Sequence, residues 1–282
     1  MSAQLAGPEE LSDDEQAAVE SLLYRLADDE LVLAERYTEW QVRAPTLESD
    51  LAISNIAQDE LGHARLWYDL LQDFGYTESE LIFERDPSDF RHATFVELPF
   101  ESGDWADAIV RGYFYDVAEK LRLEALEDTS YPRIADRVAK ILSEENYHLE
   151  HAQNWLERLT SDDEGTERVQ SAVDRLFPYA LTLFEDGDAS PEIDDLGIRT
   201  ESLDSMREQW LDTVVPFLAS LGVEVPEEIQ DGNPDELLPE HLGRDGSHTD
   251  DWADLHDDMT RSYRELGRSE AHRIMADPDD EE

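Results

Sequence analysis

Apolar side chains recur with the period of an α-helix along four long stretches of the chain. The first stripe runs through Val19, Leu26 and Tyr37, and the stripe of the third stretch is noisier than the other three. These stripes predict helices over residues 14–42, 46–74, 104–128 and 133–160. The pattern therefore predicts an all-α protein built on an antiparallel four-helix bundle. In that bundle, a long connection over residues 75–103 joins two helical hairpins.

The C-terminal part of the chain is punctuated by proline and glycine. The elements expected there are a loop at 161–167, a helix at 168–186, a break at 186–197, a helix at 202–221, an extended arm at 223–250 and a last helix at 252–272. We expect a single domain over residues 1–282. Its parts are a core bundle at 14–160, supporting helices and an arm at 168–275, and a disordered acidic tail at 276–282.

Acidic residues interrupt the apolar stripes at matched depths. Glu60 lies 15 residues after Pro45 of the first hairpin turn, and Glu30 lies 15 residues before it. In the second hairpin, which turns near Pro132, Asp116 is level with Glu145. Residues equidistant from the turn of an antiparallel hairpin lie side by side, so the pattern places four carboxylates on the core face at one level.

Each half of the pattern also contains a Glu-x-x-His motif, which directs both side chains from one helix face towards one point. Buried carboxylates cost several kcal/mol each unless they are neutralised, paired or bound to a cation. The three regular stripes contain no Lys or Arg. The sequence therefore predicts a site for two metal ions, with Glu60 and Glu145 as bridges, and iron or manganese suits its oxygen and imidazole donors. The predicted ligands are Glu30, Glu60, His63, Asp116, Glu145 and His148.

Other interpretations stay open at this point. The motifs also suit an exposed polar helix face, or a hydrogen-bonded polar core without metal. Glu119 lies one turn from Asp116 and is the alternative ligand on the third helix. Asp59, Glu144 and Tyr147 are candidates for orienting the ligands, or are solvated side chains.

The charge of the chain is extreme. It has 71 acidic residues against 22 basic ones, a net charge of -49, and Lys120 and Lys140 are its only lysines. Such a surface repels itself unless salt screens it, which predicts a protein from a salt-loving organism. A nucleic-acid partner is excluded because phosphate binding needs a basic face. The absence of a long apolar run and of a signal-peptide pattern predicts a cytoplasmic protein without a membrane partner.

Three segments give the chain a family resemblance: Ala44 to Leu47, Gln58 to Arg65 and Glu144 to His148. Over residues 20–265 the sequence resembles the phenylacetyl-CoA ring-1,2-epoxidase subunits of phenylacetate catabolism. The resemblance implies a ferritin-like fold and a multisubunit monooxygenase. In that complex dioxygen is activated on a di-iron subunit, a reductase component supplies electrons, and phenylacetyl-CoA is the substrate.

The family contains two related kinds of bundle protein, one catalytic and one structural. The segment Gly243 to Thr249 resembles the structural-type, or C, subunit, whereas the complete ligand set matches the catalytic pattern. We therefore expect a C-type subunit with a retained di-metal site, and its expected partner is the related catalytic subunit. No catalytic or coenzyme A-binding residue is assigned. The alternatives are a non-catalytic scaffold of the same complex and a stand-alone di-metal protein. The arm at 223–250 is either a partner-binding element or an intrachain wrap.

Overall fold

The computed structural model describes residues 4–5, 7–100, 103–186 and 190–267. Within these ranges all regular structure is helical, which confirms the predicted all-α class and the ferritin-like bundle with additional C-terminal helices. The α-helices are α1 (Asp13–Thr38), α2 (Leu47–Gln72), α3 (Glu78–Ile82), α4 (Thr94–Glu97), α5 (Trp105–Glu124), α6 (Pro132–Leu159), α7 (Asp163–Ala180), α8 (Ser190–Asp195), α9 (Leu203–Ser220), α10 (Glu227–Gln230) and α11 (Asp250–Glu265). Short 3₁₀ helices occupy Pro8–Glu10, Pro87–Asp89, Leu181–Phe184 and Pro234–Leu237.

The bundle consists of two hairpins, α1 with α2 and α5 with α6. Local signals fix where these helices begin. Ser12 and Glu15 form a capping box at the start of α1, and Thr46 caps α2 by accepting a hydrogen bond from the backbone N–H of Ser49. Pro132 occupies the first turn of α6, where its missing N–H costs nothing. The predicted bounds of the four long helices are therefore correct to within a few residues.

Helix α5 is covered on several sides. It packs against α6 within the bundle and against α7 and α9 outside it. The indole of Trp210 on α9 donates a hydrogen bond of 3.0 Å to the carbonyl of Phe114 on α5. A helix that is buried nearly all round carries apolar residues on every face, which explains why the third stripe of the sequence was irregular.

The connection between α2 and α5 crosses over α1, and the C-terminal arm lies on top of this crossover. Thr94 donates a hydrogen bond of 2.8 Å to the carbonyl of His241. At the start of α11, directly after the arm, the buried indole of Trp252 donates one of 2.9 Å to the carbonyl of Pro87. These contacts are those of an intrachain wrap, the second of the two interpretations of the arm.

The structure corrects several details of the sequence interpretation. The arm expected to be extended over 223–250 contains the short helix α10 and the 3₁₀ helix Pro234–Leu237. The loop expected at 161–167 is shorter, because Asp162 caps a helix that already begins at Asp163. The expected break at 186–197 contains the short helix α8. The last helix ends at Glu265, and the predicted tail at 276–282 lies outside the described residues. Among the described helices, none has the length and apolar character needed to cross a bilayer.

Candidate metal centre

The six predicted ligands all lie buried inside the bundle, where α1 and α5 each contribute one acid and α2 and α6 each contribute a Glu-x-x-His pair. Their donor atoms form two overlapping groups, in each of which all atoms lie within 4.8 Å of one another. One group comprises Glu30, Glu60 and His63; the other comprises Glu60, Asp116, Glu145 and His148. The matched depths inferred from the two turns thus correspond to real proximity.

Glu60 and Glu145 lie between the two imidazoles. The Nδ1 atom of His63 is 3.8 Å from an oxygen of Glu60 and 3.5 Å from one of Glu145. The Nδ1 atom of His148 is 3.5 Å and 3.3 Å from oxygens of the same two residues. Donors that share a cation at about 2.1 Å stand roughly 3–4 Å apart. The spacing therefore suits bridging carboxylates.

An acid on the opposite hairpin orients each histidine. The Nε2 atom of His63 on α2 lies 2.9 Å from Glu144 on α6. The Nε2 atom of His148 on α6 lies 3.3 Å from Asp59 on α2. A carboxylate partner at Nε2 leaves Nδ1 of each ring as the donor that faces the centre. Asp59 and Glu144 therefore take the orienting positions, whereas the side chain of Tyr147 is exposed.

The polar atoms at the centre lack ordinary partners. Among the described residues, the buried atoms here without a hydrogen bond are both carboxylate oxygens of Glu30, Glu60, Glu119 and Glu145, Oδ1 of Asp116, and Nδ1 of His63 and His148. Buried polar groups without partners are expensive, and a convergent set of oxygens and imidazole nitrogens is a donor set for cations such as Fe²⁺ or Mn²⁺. The residues present therefore fit a pair of divalent ions.

Burial dominates the ionisation of these groups. It raises the pKa of Glu30 well above its ordinary value, and the charge of Glu60 raises it further. Burial and the same charge raise the pKa of Glu145 to about 7. Burial alone would lower the pKa of His63, but the carboxylate of Glu60 outweighs it and raises that pKa to about 9. The groups therefore hold protons in common around neutral pH, and a cation would displace those protons.

Two acids of α5 face this region, and they have different partners. Asp116 belongs to the second donor group, whereas Glu119 forms an ion pair with Arg122. Glu119 nevertheless influences the centre. Its charge raises the pKa of Glu30, after burial and the charge of Glu60. The structure thus brings Asp116, the preferred residue of the two, into the donor cluster.

Three consecutive acids of α1 are buried and serve three different sites. Asp28 accepts hydrogen bonds from Tyr68 at 2.6 Å and from the backbone N–H of Arg91 at 2.7 Å, and it pairs with Arg85. Asp29 is held by guanidinium groups, and Glu30 faces the metal centre. Sequence reasoning identified only Glu30. The run of three acids inside an apolar stripe was the available signal for the others.

A third group of possible donors lies outside the bundle core. An oxygen of Glu97 is 2.7 Å from Nε2 of His92 and 2.8 Å from Nδ1 of His248. The other oxygen accepts a hydrogen bond of 2.8 Å from the backbone N–H of Thr249. The two rings are stacked with their centroids 4.1 Å apart, and one nitrogen of each ring faces the same oxygen of Glu97. This arrangement suits a carboxylate that accepts two hydrogen bonds, and it joins the arm to the crossover.

A cavity of about 20 Å³ lies beside Asp116 and His148. Its walls are mainly apolar and include Ile53, Trp105 and Ile109. That volume accommodates about one water molecule, whereas a cavity that binds benzene has about 150 Å³. The cavity that Asp116 and His148 line is therefore on the scale of water or dioxygen.

Several large aromatic residues of the bundle belong to the packed core. Trp67, Tyr113 and Phe114 are fully buried, and Tyr113 packs against Phe217 of α9 with ring centroids 4.8 Å apart. None of these three is among the residues that line the small cavity. Their role in the described structure is core packing.

Comparison with known proteins gives a family match and two relatives. The model of the family described as "Phenylacetic acid catabolic protein" matches residues 1–269. The C subunit of the 1,2-phenylacetyl-CoA epoxidase of Escherichia coli (strain K12) is 33% identical over 224 residues, which cover 78% of this chain and 89% of the relative. The A subunit of the epoxidase from the same strain is 28% identical over 193 residues, which cover 67% of this chain and 62% of the relative.

Proposed function

This chain belongs to the phenylacetic acid catabolic protein family, and on that premise we propose that it is the C-type subunit of a phenylacetyl-CoA epoxidase. The greater identity to the C-type relative, over 89% of its length, supports the subunit type. A related bundle protein of the A type would be its partner, and a reductase component would supply electrons to the complex.

We further propose that the bundle holds two iron ions, with manganese as the alternative. The observation that carries this proposal is the convergence of unpartnered buried donors from α1, α2, α5 and α6 on one point. When bound, such ions supply a centre that activates dioxygen. The residues of this chain would hold the ions, Asp59 and Glu144 would orient the imidazoles, and apolar side chains would line the small cavity beside Asp116 and His148.

The size of the cavity beside the centre bears on where the aromatic ring is oxidised. A space of about 20 Å³ beside Asp116 and His148 does not admit an aromatic ring, so we propose that the ring is epoxidised on the related A-type protein. The complete ligand set favours a second candidate function, in which this chain itself performs the oxygenation after its helices move apart.

Metal analysis tests the centre. Iron and manganese per chain are measured in protein purified anaerobically at high salt, beside a Glu60→Gln/Glu145→Gln variant and a control with the exposed acid changed, Glu127→Gln. We expect about two metal ions in the wild type and the control, and a loss in the double variant. A folded wild type without metal would refute the centre and leave a polar core in a scaffold protein.

Reconstitution tests the place of this chain in the complex. An A-type partner is co-purified with this chain, and turnover of phenylacetyl-CoA is measured with a reductase and dioxygen. We expect a stable complex whose activity is lost on substitution of the ligands of the A-type partner. Failure to associate, or full turnover by this chain alone, would contradict the proposed division of labour.

A further inference from the structure

The C-terminal arm inserts an arginine into the interior of the bundle. Arg244 is 4% exposed. Its two terminal nitrogens donate hydrogen bonds of 2.9 Å and 2.7 Å to the two carboxylate oxygens of Asp29, which is the neighbour of Glu30 on α1. A residue far along the chain thus makes a bidentate ion pair one position from a predicted metal ligand.

The backbone of the arm is shaped to deliver this side chain. Gly243 has a φ of +85°, and a Cβ atom at this position would lie 2.1 Å from the carbonyl oxygen of His92. Gly246 has a φ of +84°, and its Cβ would lie 2.2 Å from the carbonyl oxygen of Ser88. Only glycine fits both the conformation and the approach. The two glycines therefore let the Gly243 to Thr249 segment lie directly against the crossover, and Arg244 reaches Asp29 from this position.

The ion pair is part of a buried chain of charges. Asp29 also pairs with Arg122 of α5, and Arg122 in turn pairs with Glu119 on the same helix. All four side chains are buried. Two carboxylates and two guanidinium groups balance one another, so this group of four side chains is neutral and each charge has a partner.

Removal of Arg244 would leave these buried side chains with one uncompensated negative charge. Among the described residues, Arg122 would then be the cation left in an ion pair with two buried carboxylates, Glu119 and Asp29, of which Asp29 also accepts a hydrogen bond from the backbone N–H of Ala93. Glu119 follows Asp116 by one helical turn, so it shares the face of α5 that points to the metal centre. A cation bound at the centre would offer the released carboxylate an alternative partner.

We propose that Arg244 is a positioning residue for the metal centre. By neutralising Asp29 it leaves Arg122 to hold Glu119, and Glu119 therefore stays out of the donor set. This inference rests on the proposed metal centre. It adds that the arm and the four buried charged side chains restrict the ligand from α5 to Asp116.

Cobalt binding to the full-length chain tests the inference. Metal-free protein at high salt is titrated with Co²⁺, and the visible d–d absorption is recorded because its intensity falls as the coordination number rises. The variants are Arg244→Gln, Arg244→Gln/Glu119→Gln and Arg244→Gln/Asp29→Asn. We expect a weaker, shifted absorption in the single variant, and a return to the wild-type spectrum in both double variants.

The two double variants separate charge balance from structural support. One removes the competing donor, and the other removes the charge that Arg244 compensates. An unchanged spectrum in Arg244→Gln would overturn the proposal, as would an altered spectrum that persists without Glu119. If the single variant does not fold, Arg244→Gln/Asp29→Asn decides, and an altered spectrum there overturns the proposal. A wild type that binds no Co²⁺ instead refutes the metal centre itself.

Discussion

Acid should weaken the contact between the arm and the crossover through His92. This side chain is 0% exposed, and burial together with the charge of His248 lowers its pKa to about 4 from 6.5. Because the folded-state pKa is depressed, the neutral ring contributes stability that is fully present above pH 6.5 and is lost as the pH falls towards 4. Between about pH 7 and about pH 5 the expected loss is about 2 kcal/mol.

Urea unfolding measures this loss. The free energy of unfolding is determined at both pH values, in high salt, for the wild type and for His92→Gln, whose amide retains a donor for Glu97. The many other carboxyls titrate in both proteins, so the difference between the two proteins isolates His92. The pKa of Glu97 is lowered to about 2, because hydrogen bonds from the two histidines outweigh burial, and its own contribution persists through this range. Parallel pH dependences would refute the reasoning.

Three further expectations concern salt, the arm and the outer partners of the histidines. With a net charge of -49, the protein should unfold when salt falls below about 0.5 M, as followed by circular dichroism. In urea unfolding, Gly243→Ala should lower the free energy of unfolding by about 1–3 kcal/mol more than Gly222→Ala does. Both glycines have positive φ, but only a Cβ at Gly243 meets the backbone of His92. Asp59→Ala and Glu144→Ala should each lower metal affinity about 10- to 100-fold in titrations.

The contradicting results are equally concrete. Full stability in dilute buffer would show that charge repulsion is compensated within the fold. Equal losses for the two glycine variants would show that the arm yields without cost at the crossover. Wild-type metal affinity in both alanine variants would show that the contacts of 2.9 Å and 3.3 Å to the imidazoles do not orient them.

The bundle and its centre could be predicted from the sequence because they depend on regular spacing within each helix and on distance from a turn. Helical periodicity locates α1, α2 and α6, and distance from a turn converts position into depth, which brings Glu30 beside Glu60. Helix α5 was harder to interpret, since neighbours on several sides remove the contrast between its faces. Even so, depth alone favoured Asp116 over Glu119.

The contacts made by the arm lay beyond such reasoning. Arg244 and Asp29 are 215 residues apart, and no periodicity relates them. His92 and Glu97 lie in the crossover between α2 and α5, whose elements are too short to give a repeating signal. The motif Gly243 to Thr249 was visible as a family likeness. The reason for its glycines became clear only from the close packing of its backbone against the backbone of the crossover.

The crossed contacts from Glu144 to His63 and from Asp59 to His148 interlock the two hairpins. Each hairpin supplies the imidazole of one half and the carboxylate that steadies the imidazole of the other. A substitution in either motif therefore removes a contact from the imidazole of the other hairpin as well as a donor from its own.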